Sequence, residues 1–368
     1  MRGLYIHIPF CLKKCKYCDF NSFAFCNEDK KSYLRALFEQ MDRYKGEKVD
    51  TVFVGGGTPT SLDAEELLVL LEKIRSTFVI SSDAEFTVEM NPKTVDKEKL
   101  TIMKENGVNR LSVGVQSFND DELEKIGRIH TGEDAIETVK LIKEYGFDNF
   151  SIDLMSALPG QTMETFRQNL ETATSLGTTH ISCYSLILEE GTPLYEEYLR
   201  GEISIPDEDT EREMSDIAVE FLKENGYERY EVSNFAKAGY QSAHNIKYWQ
   251  CKEYIGIGLS AHSYIDGVRF SNTDDFDNYI EGDFTKYNEE KLSQNDMMSE
   301  FMFMGLRMDC GVSKDEFKNR FGEEIEKIFS APLIKFKDMG MIEEEDGFYR
   351  ISDKGIGVSN TIMCEFIL

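Results

Sequence analysis

Residues 4–18 read Leu4-Tyr5-Ile6-His7-Ile8-Pro9-Phe10-Cys11-Leu12-Lys13-Lys14-Cys15-Lys16-Tyr17-Cys18. A short apolar, strand-like run stops at a proline and opens into a C-x3-C-x2-C triplet, which places three thiols at the carboxyl end of a first strand. Three thiolates on one tight loop are soft, closely spaced ligands suited to an iron–sulfur cluster, and three is one fewer than a four-iron cubane needs, so one iron would stay open. A zinc knuckle or three unrelated thiols are the other readings of the triplet, and zinc would want a fourth ligand nearby. Cys26, eight residues on, is the candidate for that fourth ligand and could close the site into an electron-transfer cluster. Cys183, Cys251, Cys310 and Cys364 are scattered without ligand spacing, read as small buried hydrophobes and suggest no disulfide framework.

Working outward, strand-like runs recur at Leu4–Ile8, Thr51–Val54, Glu85–Glu89, Arg110–Val115, Asn149–Asp153 and His180–Leu186. Between them the apolar spacing is helical, as in Leu67, Leu70, Leu71 and Ile74, and several helices stop at a glycine, namely Gly107, Gly146, Gly177 and Gly226. Strands alternating with helices predict an α/β parallel sheet. The special residues fall at strand ends: the cysteine loop after the first strand, Gly55-Gly56-Gly57-Thr58-Pro59 after the second, Glu89 closing the third, Gln116 after the fourth and Asp153 closing the fifth. Barrel enzymes build their sites at that face. Six strands predict a (β/α)6 partial TIM barrel over residues 1–226. The aromatic-rich, strand-like pieces of residues 227–290 should extend the sheet beside the barrel mouth. Residues 291–368, with a Met- and Phe-rich helix, a Ser313-x-x-Glu316 capping box and a hairpin turning at Asp346-Gly347, predict a small winged-helix-like C-terminal domain.

The glycine run lets a ligand approach the main chain and its N–H groups closely. Glu89, Gln116, Arg128 and Asp153 together supply acceptors for hydroxyls and a cation for a carboxylate, though each alone could be a barrel-mouth salt bridge or cap. His244-Asn245-Ile246-Lys247-Tyr248-Trp249 offers an imidazole and two flat aromatic faces, one of them the chain's only Trp; a histidine among aromatics is also a common core residue.

YIHIPFCLKKCKYCDFNSF, VFVGGGTPT, SVGVQSFND, IDLMSALPGQT, YEVSNFAKAGYQSAHNIKYW and GIGLSAHSY resemble the HemW family of haem chaperones, relatives of oxygen-independent coproporphyrinogen III oxidase in the radical S-adenosylmethionine (SAM) superfamily. The resemblance covers nearly the whole chain. It implies a radical-SAM-type partial barrel whose [4Fe–4S] cluster is held by Cys11, Cys15 and Cys18. It puts the SAM contacts on Tyr5, Tyr17, Gly56, Gly57, Thr58, Glu89, Gln116, Arg128, Asp153 and, by backbone, Ile187. It associates His244, Tyr248 and Trp249 with haem, in a segment expected beside the barrel mouth. His262 is a second candidate for the iron, and His7 is expected to face the barrel core. Phe20 stands where the oxidase carries a fourth cysteine, and Ser156-Ala157 replaces the aromatic-Gly pair common before LPGQT.

The implied function is delivery of haem to acceptor haemoproteins such as respiratory enzymes, some at the membrane. The rival reading is the oxidase itself, decarboxylating coproporphyrinogen III with a 5′-deoxyadenosyl radical; Phe20, the haem motif and the missing amino-terminal extension argue against that activity. No catalytic residue is assigned. With 41 Lys and Arg against 68 Asp and Glu the net charge is −27, which disfavours nucleic-acid partners. No signal peptide and no apolar run near ~20 residues are evident, so a cytoplasmic protein without a membrane span is expected. The oligomeric state is left open, a homodimer included.

Overall fold

The computed structural model describes residues 1–24 and 27–368, so the fourth-ligand candidate Cys26 lies outside the described residues. Six parallel strands pair in chain order: β1 (Arg2–Ile8), β2 (Lys48–Gly56), β3 (Val79–Met90), β4 (Arg110–Gln116), β5 (Phe150–Ser156) and β6 (His180–Ser185). Each expected strand is present, and the expected α/β arrangement of six parallel strands is the observed one. A seventh parallel strand, β7 (Tyr254–Ile257), joins the outer edge of β1. The pieces after residue 226 therefore extend the sheet at both edges: Glu228–Glu231 and Asn234–Ala236 lie antiparallel beyond β6, whereas His262–Ile265, Val268–Ser271 and Tyr287–Lys291 lie antiparallel beyond β7.

Helices form where capping signals open them and glycines close them. Asp63 and Glu66 make reciprocal capping bonds at the start of Ala64–Thr77, and Thr131 and Asp134 do the same for Gly132–Glu144. Gly107 and Gly146 take φ of 86° and 75° after their helices, a conformation costly for a residue with a Cβ.

Strand alternation splits the residues between two faces. Leu4, Ile6, Ile8, Val52 and Val54 are fully buried in the core against the helices. The opposite face is polar. The strand register brings Tyr5, Phe53, Thr87 and Arg110 to one level, and Glu89, Ser112, Ser151 and His180 to the next. Most parallel barrels fill that volume with aliphatic side chains, so a charged and hydroxylated interior marks ligand chemistry. A second hydrophobic core, built around Met302, Phe317, Phe329, Leu333 and Phe366, lies in the C-terminal segment. There a three-stranded sheet joins Val312–Ser313, Ile342–Glu345 and Phe348–Ile351, with the hairpin turning at Asp346 and Gly347 (φ 50° and 81°). Ser313 caps the Lys314–Phe321 helix by accepting from the Glu316 N–H at 3.2 Å. Cys310 and Cys364 are exposed, contrary to the expected burial of the scattered cysteines.

Candidate functional site

The cysteine loop is fastened from three sides. The Lys16 N–H donates to the Ile126 carbonyl at 3.0 Å, the Leu194 N–H donates to the Lys16 carbonyl at 2.9 Å, and the Lys16 ammonium pairs with Glu197 at 2.8 Å. Each thiol has its own neighbour: Thr58 Oγ1 donates to Cys11 at 3.6 Å, Arg128 to Cys15 at 3.4 Å, and Ser22 Oγ stands 3.7 Å from Cys18. All three line one cavity of about 340 Å³, yet they form no group able to hold a single metal ion among the described residues. Separated thiols facing one volume suit a cluster, in which each sulfur bonds a different iron. Burial raises the pKa of Cys11 and Cys18 in the absence of metal.

The same cavity is lined by Tyr17, Gly56, Gly57, Glu89, Gln116, Arg128 and Asp153. Most of the expected SAM set is thus assembled from five successive strands and the loops after them, which lie far apart in sequence. Arg128 donates to Asn91 Oδ1 at 2.8 Å and to the Gly114 carbonyl, while its Nε is buried without a partner among the described residues. A buried guanidinium with a donor to spare suits an anionic ligand group. Asp153 accepts from Ser151 at 3.1 Å and from Ser112 at 3.2 and 3.3 Å. Burial raises its pKa, opposed by Ser182, Arg110, Ser151 and Ser112. Glu89 accepts from the Gly56 N–H at 3.0 Å; burial, then the Asp153 charge, push its carboxyl up to about 7.

The glycine loop departs from expectation in one respect. Its N–H groups are engaged internally: Gly56 to Glu89, Gly57 to the Ile8 carbonyl at 2.8 Å and Thr58 to the Phe10 carbonyl at 2.7 Å. The glycines are needed for packing, because a Cβ on Gly55 would lie 2.6 Å from the Glu89 carboxylate and one on Gly56 would lie 2.4 Å from the His7 ring. Thr58 is buried behind Cys11, accepting from Asn91 Nδ2 at 2.7 Å. Ile187 lies past β6 with an exposed side chain. Asn91, which ties Thr58 to Arg128, was not foreseen, nor were Ser112 and Tyr184 in the cavity wall. Asn91 follows Glu89 by two at the end of β3, the strand-end signal that could have found it.

Tyr5 faces a neighbouring cavity of about 390 Å³ rather than the first one. That second cavity is lined by Tyr5, His7, Tyr248, Tyr254 and His262 among others, and shares Phe20, Gly56 and Glu89 with the first. Phe20 is 65% exposed, an uncovered ring at the junction.

The expected placement of the His244 run beside the mouth is corrected. Ala243–Trp249 is a helix lying against the amino-terminal ends of the strands, where the Glu85 carboxylate accepts from the Ala243 and His244 N–H groups at 2.9 and 3.0 Å. His244 is 1% exposed, and its ring nitrogens contact Thr51 Oγ1 at 2.9 Å and the Tyr248 hydroxyl at 2.8 Å. Neither nitrogen can reach iron without breaking a buried hydrogen bond. Trp249 turns instead toward the C-terminal segment, with the Arg307 guanidinium 4.7 Å from its ring centre. Of the three residues associated with haem, only Tyr248 lines a cavity beside the site.

This partial barrel with a three-cysteine loop at the end of its first strand defines a radical SAM protein: the family model described as the radical SAM superfamily matches residues 5–173, and the HemN C-terminal domain model matches residues 292–358. A structure titled as coproporphyrinogen III oxidase (HemN) from Escherichia coli, a radical SAM enzyme, superposes with a TM-score of 0.86 at 22% identity, covering 99% of this chain and 89% of that one; it supports the fold alone. Proteins named heme chaperone HemW are more similar in sequence. That of Bacillus subtilis is 39% identical over 100% of this chain and 99% of its own, that of Lactococcus lactis 37% over 99% and 97%, and that of Escherichia coli 33% over 99% and 98%. The chain belongs to the HemW family. Iron–sulfur and SAM binding are typical of its superfamily. Among the described residues no helix is long and apolar enough to cross a membrane.

Proposed function

We propose that the protein is a haem chaperone that binds a [4Fe–4S] cluster, SAM and haem, and passes haem to acceptor haemoproteins such as respiratory enzymes. The observation that carries this reading is the shared wall: a cavity holding three thiols, Arg128, Glu89, Gln116 and Asp153 abuts an aromatic, histidine-bearing cavity through Phe20, Gly56 and Glu89. The names of the HemW relatives support the haem part.

Cys11, Cys15 and Cys18 would hold the cluster, which supplies one-electron chemistry when bound. Arg128, fixed by Asn91 and the Gly114 carbonyl, would face the carboxylate of SAM. Asp153, held by its serines, would accept from a ribose hydroxyl, and Glu89 and Gln116 would take remaining donors. Tyr17 lines the wall of that site, whereas Thr58 supports it from behind. Three units fit this division of labour: residues 1–226 for the cluster and SAM, 227–290 for the second cavity, and 291–368 as a packing domain. Phe20, which stands where the oxidase carries a fourth cysteine, offers no thiol.

The test sets a haem titration beside an anaerobic assay with coproporphyrinogen III on the same cluster-loaded sample. Stoichiometric haem binding without turnover is expected; turnover without haem binding would make the protein an oxidase.

A further inference from the structure

The chain has five histidines, and four of them have a ring nitrogen committed to a hydrogen bond. His7 contacts the Tyr5 hydroxyl at 2.9 Å and the Asn21 carbonyl at 3.0 Å. His130 contacts the Val115 carbonyl at 3.1 Å. His180 bridges Ser151 at 2.9 Å and the Tyr230 hydroxyl at 2.8 Å. His244 bridges Thr51 and Tyr248. His262 alone makes no hydrogen bond through its ring among the described residues, and it is exposed into the second cavity.

Strand register explains where it points. Tyr254 lies opposite Gly3 on one side and Tyr264 on the other, so Tyr264, and by alternation His262, share the sheet face that carries Gly3 and Tyr5. That is the polar interior face. Gly256 is what allows the strand to come so close, since a Cβ there would sit 1.9 Å from the His262 carbonyl oxygen. Around the cavity stand the rings of Tyr5, Phe20, Tyr248 and Tyr254, with Tyr248 and Tyr254 edge to face at 4.7 Å. Its volume falls within the ~300–1,000 Å³ of small-molecule sites.

An imidazole with free nitrogens, projecting among aromatic faces, presents one metal ligand and flat apolar walls, a combination that matches an iron porphyrin. Partial burial and Arg269 lower the pKa of His262, which keeps the ring neutral and its lone pair available. We propose that haem sits in this second cavity with His262 as its axial iron ligand and Tyr5, Tyr248, Tyr254 and Phe20 against the macrocycle. This rests on the haem-chaperone reading above and moves the ligand from His244 to His262. The shared wall would then set the haem cavity beside the SAM cavity, with Glu89 between the two.

Haem titration of the full-length protein, followed by Soret absorbance, tests the assignment with wild type, His262→Gly and His262→Cys. Wild type should bind one haem. His262→Gly should lose about tenfold or more in affinity, and added imidazole should restore the wild-type spectrum, which a purely structural role would not allow. His262→Cys should give a thiolate-type Soret shift. Unchanged affinity and spectrum in both variants would overturn the His262 assignment while leaving the chaperone reading intact. Failure of wild type to bind haem would overturn both.

Discussion

Glu89 stands in the wall between the two cavities, with its buried carboxyl accepting from the Gly56 N–H and raised to about 7. A carboxyl raised above its ordinary 4.5 in the folded state gives a stability term that is complete below pH 4.5 and is lost as pH rises through 7, because only the unfolded chain ionises freely across that window. Glu89→Gln should remove this slope from thermal unfolding of the metal-free protein measured between pH 5 and 8; an identical slope would mean Glu89 does not titrate there. If Glu89 accepts from SAM as proposed, its ionised form is the stronger acceptor, and SAM affinity in an equilibrium titration should rise by up to about tenfold from pH 6 to 8. Arg110, 2% exposed and below Glu89 and Asp153 in the barrel, opposes the raised pKa of both. Arg110→Met should therefore move the midpoint of that profile to higher pH, as read by calorimetry. For the cluster, alanine at Cys11, Cys15 or Cys18 should abolish a normal four-iron centre, judged by iron content and the electron paramagnetic resonance signal. Cys26→Ala should leave it, and loss of the signal there would restore a fourth ligand.

At the scale of elements, the Ala243–Trp249 helix is a plug for the amino-terminal end of the barrel. Too short to be stable alone, it relies on the Glu85 carboxylate at its first N–H groups and on Ser242, whose hydroxyl accepts from the Asn245 N–H at 3.4 Å. Glu85→Ala should cost about 1–2 kcal/mol in urea unfolding. His244 ties the plug to β2 through Thr51, and its pKa is held down to about 3 by burial, Lys247 and Arg110. The sign is opposite to that of Glu89: the neutral ring stabilises above the unfolded value of 6.5, and this contribution is lost as pH falls toward 3. His244→Ala should therefore cost about 2–4 kcal/mol of stability at pH 7 and leave the Soret band position unchanged. A shifted band in a folded variant would return His244 to the haem site.

Across the whole molecule, the C-terminal segment clasps the end of this plug. Arg320 donates to the Gln250 and Cys251 carbonyls at 3.3 and 2.8 Å, Arg229 pairs with Asp309 at 3.0 Å, Arg269 pairs with Glu300 at 2.7 Å, and Arg307 covers Trp249. The chain's single tryptophan is thus a built-in reporter of the junction between the two cores. Arg320→Ala should lower stability by about 0.5–1.5 kcal/mol, seen as an earlier urea midpoint in Trp249 emission. An unmoved midpoint would mean the contact is passive.

Local chemistry made much of this legible in the sequence. The C-x3-C-x2-C spacing, the alternation of strand and helix, the capping residues and the placement of Glu89 and Gln116 at strand ends depend on neighbours within a few residues, and a period of 2 or 3.6 exposes them, whereas Asp153, expected to close its strand, lies three residues before the end of β5. The fate of the histidines depends on partners such as Thr51, 193 residues from His244, which no local pattern encodes. His244 and His262 are both histidines among aromatics in sequence. Docking of the Ala243–Trp249 helix on β2 turned one into a buried imidazole bonded to Thr51 and Tyr248, while the register of β1, β7 and the strand beyond them left the other at a cavity with no ring hydrogen bond among the described residues, because contacts between segments distant in sequence decide which imidazole keeps a lone pair.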